Sequence, residues 1–498
     1  METVVIKNNQ NIPLASIPVS DYEKFLLVNT SFVKESSFHC VSYYGVAVPE
    51  KLRLICCMAD DDHGTIHVSS SLVDRQATLP SFTAHHLSFE KFEREIHENF
   101  GIAYPDHPWL KPVRFPFNRA NHQSTIAHYP FFNSASEELH EVGVGPIHAG
   151  VIEPGHFRFI CNGEQIMHME IQLGFQHRGI ESLFLEKKKL LQRATLAETI
   201  AGDTAVGHTT AFVNLWESLC NYTPDEDLQF ARTLALELER IAMHTADLSA
   251  LCTDVAYQLG SAVYGRLRTP IINYMQIWCG NRLSKGLIRP GKLNFPFTRD
   301  LGDQLSRLLD VYEKDFNEVS DNTFRLPSVL SRFEKTGVVT HGQITEIGAV
   351  GMAARMSNVR RDVRATHPHD LYAKLEHVPI LKHHGDVYSR AQIRREEINQ
   401  SIGYIRSLLR DIPGESKNRK PLGLPKANAF CISLTEGWRG EICHCAITDE
   451  HGEFVHYKIK DPSHHNWLAL GLSVRNNEIS DFPVCNKSFN LSYCGHDL

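Results

Sequence analysis

"TIAGDTAVGHTTAF", Thr199–Phe212, is the stretch on which the reading of this chain turns. Small residues and two glycines lead to a histidine and then to a threonine-rich helix start, the frame of a metal-binding segment. The frame holds no cysteine; Ala201 and Thr204 stand where thiolates could sit. Soft thiolates select transition metals, and an alanine offers no ligand atom at all.

On either side of this stretch the periodicity changes. Residues 1–118 predict a small α+β domain. "KLRLICCMA" and "TIHVSSSLV" read as strands around the turn "DDDHG", and "SFEKFEREIHENFGI" as an amphipathic helix with Phe89, Phe92, Ile96 and Phe100 in register and Gly101 as its stop. "YPDHPWLKPVRFP" is a proline-rich arm, and residues 119–140 have no sustained period and read as a linker. Residues 141–498 predict a larger domain. It opens with a β-meander and continues into long helices. Leu234, Leu238, Ile241, Thr245 and Leu248 form one packed stripe, with Glu237, Arg240 and His244 on a neighbouring face. Ile398, Ile402, Ile405 and Leu409 form another stripe, and the chain returns to strands from about residue 425. The expected fold class is α+β, with a central helical bundle and peripheral β-structure.

Composition is ordinary for a globular chain: 42% hydrophobic, 22% charged, net charge -7 over 498 residues. That charge argues against a nucleic-acid binder working through a broad basic field. No run approaches the roughly 18 apolar residues of a membrane span, and the first residues lack the apolar core of a secretory signal. The twelve cysteines are scattered, with no C-x-x-C pair, and read mostly as buried thiols.

Four clusters carry chemistry-bearing residues. His148, Glu153, His156 and Arg158 share a glycine-bracketed turn, where a histidine and a part-buried glutamate can pass protons. His177, Arg178 and Glu181 open a helix, the last two spaced for an intrahelical pair. Arg355, Arg360, Arg361, Asp362 and Arg364 read either as an anion or cofactor site or as a surface ion-pair face. Asn490, Ser492, Cys494 and His496 lie near position 498 and are too few for a closed transition-metal site. Asp60–Asp62 with His63 and His67 reads as a solvated hairpin turn. No P-loop, dinucleotide fingerprint or nucleophile elbow is present, so nothing indicates that this chain itself holds NADH.

Taken in order, these segments resemble one family. "FEREIHENFGIAYPDHPWLKPVRFP" is similar to the small, thirty-kilodalton (C-type) peripheral-arm subunit of respiratory complex I. From "GPIHAG" onward, "EPGHFRF", "HRGIESL", "LELERIAMH", "GQITEIGAVGMAARMSNVRRDVR" and "EGWRGEICHCAITDEHGEFVHYKIKDPSHHNW" resemble the forty-nine-kilodalton (D-type) subunit and the related group 4 nickel–iron hydrogenase large subunits. The fused order resembles formate hydrogenlyase and hydrogenase-4. The resemblance implies that the four metal-ligand positions fall on Ala201, Thr204, Ser492 and Gly495, none of them a thiol, with Cys494 one residue out of place. It sets the quinone-binding tyrosine of complex I at about Gly202 and its histidine at His148, and gives Glu153 the position of a proton-relay glutamate.

The expectation is therefore a cysteine-less, hydrogenase-related subunit of an oxidoreductase assembly. It would sit on the cytoplasmic face of the inner membrane, beside an iron–sulfur subunit and above antiporter-like membrane subunits, touching the membrane only through them. Catalytic candidates are His148, Glu153, Arg178 and Asp203; pocket-lining candidates are His148, Gly202, Arg355 and Asp362. No cofactor is expected in the chain, with iron–sulfur clusters in partner subunits. Quinone reduction in the former metal pocket and a non-catalytic scaffold are the alternatives. Activity as an ordinary nickel–iron hydrogenase ranks last.

Overall fold

The computed structural model describes every residue except Met1, Ala149 and Val151, the last two in the "GPIHAGVIEPGHFRF" turn. The short strands β1 (Val4–Ile6), β2 (Ile12–Pro13) and β3 (Val19–Ser20) precede helix α1 (Tyr22–Phe32), whose N-cap Asp21 accepts the Lys24 amide. Strands β4 (Phe38–Ala47), β5 (Lys51–Asp60) and β6 (Thr65–Asp74) follow, giving the sheet order β1-β6-β5-β4 with β3 parallel to β6. Helix α2 (Glu90–Phe100) covers this sheet with Phe92 and Ile96, and stops at Gly101, whose φ of 77° a side chain would resist.

Strands β7 (His140–Val144), β8 (His156–Asn162) and β9 (Gln165–Gln172) form the expected meander. Helices α3 (Ile180–Glu186), α4 (Leu190–Ala197) and α5 (Ala205–Leu219) lead to the long pair α6 (Glu226–Asp254) and α7 (Gln258–Cys279). The α6 stripe is buried throughout, and the Thr245 hydroxyl donates to the Ile241 carbonyl at 2.6 Å. A small hairpin, β10 (Ile288–Arg289) and β11 (Lys292–Leu293), precedes α8 (Arg299–Thr323) and the short helices α9 (Pro327–Phe333), α10 (His341–Glu346), α11 (Met352–Arg355) and α12 (Val363–Thr366). Helix α13 (Val387–Leu409) packs on α6 through Ile398, Ile402 and Ile405; Leu408 is buried and Leu409 only half-buried at its end.

The return to strands gives β12 (Ala429–Gly437), β13 (Gly440–Thr448) and β14 (Phe454–Lys460), followed by α14 (Ser463–Ser473), α15 (Phe482–Phe489) and α16 (Tyr493–Asp497). The fourth strand of this last sheet is β2, which pairs antiparallel with β12 at Pro13–Ala429 and Ile12–Phe430. Val41, Ile55, Cys57 and Val68 of the N-terminal sheet share one core with Phe430, Ile432, Cys443 and Cys445. The two parts of the chain thus bury apolar faces against each other.

Candidate functional site

The loop Ala201–Thr204 and the start of α16, Ser492–Gly495, come together, although nearly 300 residues separate them in sequence. Two arginines bridge them. The Arg178 guanidinium donates to the carbonyls of Thr199 (2.6 Å), Ile200 (2.9 Å) and Cys494 (3.0 Å). Arg439 grips Asp203 through both carboxylate oxygens at 2.7 Å, donates to the Thr204 hydroxyl at 3.1 Å, and reaches the Asn490 carbonyl. Such a planar fork holds a carboxylate in one orientation. Burial alone would raise the Asp203 carboxyl; Arg439 holds it below the ordinary carboxylate value.

Each of the four positions that the resemblance aligns with metal ligands has surroundings of its own. Ala201 is buried and carries no polar atom. Thr204 precedes α5, and the free amides of that helix are met instead by Glu239, which accepts from Val206 (2.8 Å) and Gly207 (3.2 Å). Burial pushes the Glu239 carboxyl up to about 8. Ser492 caps α16, accepting the Gly495 amide at 2.9 Å. A Cβ at Gly495 would lie 2.7 Å from the Asp461 carboxyl group. The residues present therefore do not fit a thiolate-bridged metal pair. Among the described residues no group of three or more His, Cys, Asp or Glu side chains could hold a metal ion.

Asp461 begins a buried chain of hydrogen bonds. Its Oδ2 meets His208 Nε2 at 3.0 Å, His208 Nδ1 meets His444 Nε2 at 3.1 Å, and His444 Nδ1 meets the Tyr457 hydroxyl at 2.7 Å. Burial works against ionising Asp461, but the hydrogen bond and charge of His208, with Arg439, hold its carboxyl low. His208 Nε2–H thus donates to the Asp461 carboxylate.

Several of the residues singled out in the sequence meet here. Glu153 Oε2 accepts the Cys494 amide at 3.4 Å, and burial followed by the Glu153 charge pushes the Cys494 thiol up to about 11. Among the described residues no atom lies within 4 Å of a Cβ built on Gly202. His148 stays within its own turn, its Nε2 2.8 Å from the Gly155 carbonyl. His156 meets the Gly145 carbonyl, and Arg158 pairs with Glu141 on β7. The intrahelical Arg178–Glu181 pair does not form, because Arg178 is taken by the carbonyls and Glu181 accepts the Ile459 amide at 2.8 Å.

Arg355, Asp362 and Arg364 are not a surface face. All three are buried, and Arg355 contacts Asp362 (3.2 Å), Glu397 (2.8 Å) and Glu436 (2.9 Å). Arg364 joins Asp362 and Glu397 at 2.8 Å, and His244 joins Glu397 at 2.7 Å. Burial pushes the Glu436 carboxyl up to about 7. Glu436 lies on β12, three residues before Arg439, so this network backs onto the hairpin that carries the Asp203 clamp. Sequence reasoning missed Arg439, His208, His444, Tyr457 and Asp461 as members of the site. Arg439 lies in the quoted "EGWRGE", but its partner Asp203 is 236 residues away.

Residues 22–125 match the family model of the respiratory-chain NADH dehydrogenase 30 Kd subunit, and residues 254–431 match that of the 49 Kd subunit. Hydrogenase-4 component G of Escherichia coli (strain K12) is 24% identical over 444 residues, covering 86% of this chain and 77% of that one. Formate hydrogenlyase subunit 5 of the same organism is 26% identical over 423 residues, covering 80% and 74%. The C/D-type NADH-quinone oxidoreductase subunit of Phocaeicola vulgatus is 25% identical over 435 residues, covering 79% and 82%. No described helix is long and apolar enough to cross a membrane. The chain thus joins a complex I 30-kDa-type segment to a 49-kDa-type segment, and its relatives include hydrogenase-4 and formate hydrogenlyase subunits and a C/D-type NADH-quinone oxidoreductase subunit.

Proposed function

We propose that this chain is a peripheral subunit of a membrane-associated, complex I-like oxidoreductase assembly, working without a nickel–iron centre. It would sit on the cytoplasmic face of the inner membrane, beside an iron–sulfur subunit and antiporter-like membrane subunits. The observation that carries the reading is the retained two-loop frame, whose former ligand positions are taken over by the Asp203–Arg439 clamp, the Ser492 cap and the Asp461 carboxylate. Glu153, at the Cys494 amide, serves as the proton relay of this pocket, with His148 in the turn beside it. Arg355 and Asp362 support the pocket from behind, and Glu436, poised near neutrality, gives their network a site for a shared proton.

Quinone as the acceptor is a second reading, favoured by the room beside Gly202 among the described residues. The test is purification of the tagged chain from its host in mild detergent, with mass spectrometry and metal analysis of what co-purifies. Iron–sulfur and antiporter-like membrane proteins, and no stoichiometric nickel, are expected. Recovery of the chain alone, or with nickel, overturns the reading. In the same material Glu153→Gln is expected to slow ion movement by about 10²-fold. A photo-reactive quinone attached within 200–204 would select the quinone reading, and labelling elsewhere would remove it.

A further inference from the structure

A cavity lies behind the candidate site, where three parts of the chain meet. Its walls come from α2, from the proline-rich arm and linker, and from β9 and α14. Trp109, Tyr129, Phe132, Met169 and Trp467 make most of the lining apolar. Its volume is about 130 Å³, and a cavity of about 150 Å³ is enough for one benzene ring.

The charges on this wall do not balance. Glu90 is taken by Arg94 and by the Trp109 indole N–H, and Glu170 by Lys111. Two cations remain. The Lys91 ammonium donates to the His464 carbonyl at 2.7 Å, and Arg475 meets only His168 Nδ1, at 3.4 Å. Neither has a carboxylate within ion-pair distance among the described residues. The indole N–H of Trp467, a residue 1% exposed, has no hydrogen-bond partner either. Arg475 is exposed at the rim and solvated, but Lys91 is half-buried and the Trp467 donor fully buried, and such groups cost free energy unless something, here an anion, satisfies them.

We propose that this cleft binds a small carboxylate with a single-ring or short branched apolar body, its carboxylate held by Lys91 and Arg475 and its body against Trp467, Tyr129 and Phe132. The inner wall is the back of the candidate site. Trp467 packs edge-on against Tyr493, the first residue of α16, with ring centroids 4.9 Å apart. An occupant would therefore stiffen the helix that carries Gly495, and the cleft acts as an effector site.

The probe is benzoate, with benzyl alcohol as its neutral counterpart, titrated into the full chain by calorimetry and by thermal midpoint. Benzoate is expected to bind at least about tenfold more tightly than benzyl alcohol, a difference of about 1.4 kcal/mol. Lys91→Met is expected to weaken benzoate by a similar factor; since it also removes the bond to the His464 carbonyl, the readout is the shift that benzoate causes in that variant's own midpoint. Gly471→Leu fills the space, since the nearest atom to a Cβ there is 3.8 Å away, and is expected to abolish binding. Failure of benzoate to bind, or equal binding of the alcohol, overturns the proposal. So does binding that survives both substitutions. None of these results bears on co-purification with membrane subunits.

Discussion

Gly495 has no room for a side chain, because the Asp461 carboxyl group stands 2.7 Å from where its Cβ would be. Gly495→Ala is therefore expected to cost about 1–3 kcal/mol through overpacking, read as a lower thermal midpoint. Trimming the obstacle in Gly495→Ala/Asp461→Ala should recover part of that loss, giving a coupling of about 0.5–3 kcal/mol in a double-mutant cycle. Strict additivity of the two substitutions would show that the contact does not matter. At this scale the sequence displays identities and hides neighbours. That Ala201 and Gly495 carry no ligand atom is legible in the letters. That Asp461 presses on Gly495 and reaches back to His208 is not, since the His208–Asp461 contact closes over 253 residues. Arg178 and Glu181 show the reverse error: their spacing suits a local pair, but carbonyls brought in by the fold compete successfully for the guanidinium.

Among the elements, the proline-rich arm depends on one neutral imidazole. The Trp109 amide donates to His107 Nδ1 at 3.1 Å, so Nε2 carries the hydrogen and donates to the Glu90 carbonyl at 3.3 Å. Protonating Nδ1 would break the first bond, and burial pushes His107 down to about 4. An unfolded histidine titrates near 6.5. The neutral ring's contribution is thus fully present above about 6.5 and is lost as the pH falls toward about 4, at up to about 1.4 kcal/mol per pH unit. Amide exchange of residues 104–115 should accelerate, beyond its intrinsic pH dependence, between pH of about 7 and about 5, and His107→Gln should flatten that response. An arm equally protected at both values would refute it. Helices such as α2 and α6 were legible because their apolar positions recur every three or four residues. The Arg355–Asp362–Arg364 cluster was ambiguous because a run of charges looks the same inside and outside; its burial depends on Glu397 from α13 and Glu436 from β12.

Over the whole molecule, the change in periodicity predicts two parts, but no local pattern predicts how they join. Strand pairing between β2 and β12 and the core shared by the two sheets leave no local pattern. Buried polar ties reinforce the junction: Arg114 pairs with Glu95 at 2.9 Å and donates to the His496 carbonyl at 2.7 Å, and Lys458 pairs with Glu95. A protease site inserted in the exposed stretch 133–138 should therefore yield two fragments that elute together under native conditions and separate only in denaturant. Fragments that part without denaturant would mean that the linker, not the shared core, holds the halves together.

The pairing of Ile12–Pro13 with Ala429–Phe430 also has a consequence in time. A ribosome adding about 5–20 residues per second takes tens of seconds to travel from one partner strand to the other. For most of that interval, from the synthesis of Val68 until β12 follows, the face formed by Val41, Ile55 and Val68 is made but uncovered. The nascent chain thus displays an apolar surface long before its cover exists, and chaperone capacity during synthesis, more than the stability of the finished protein, sets how much of it survives.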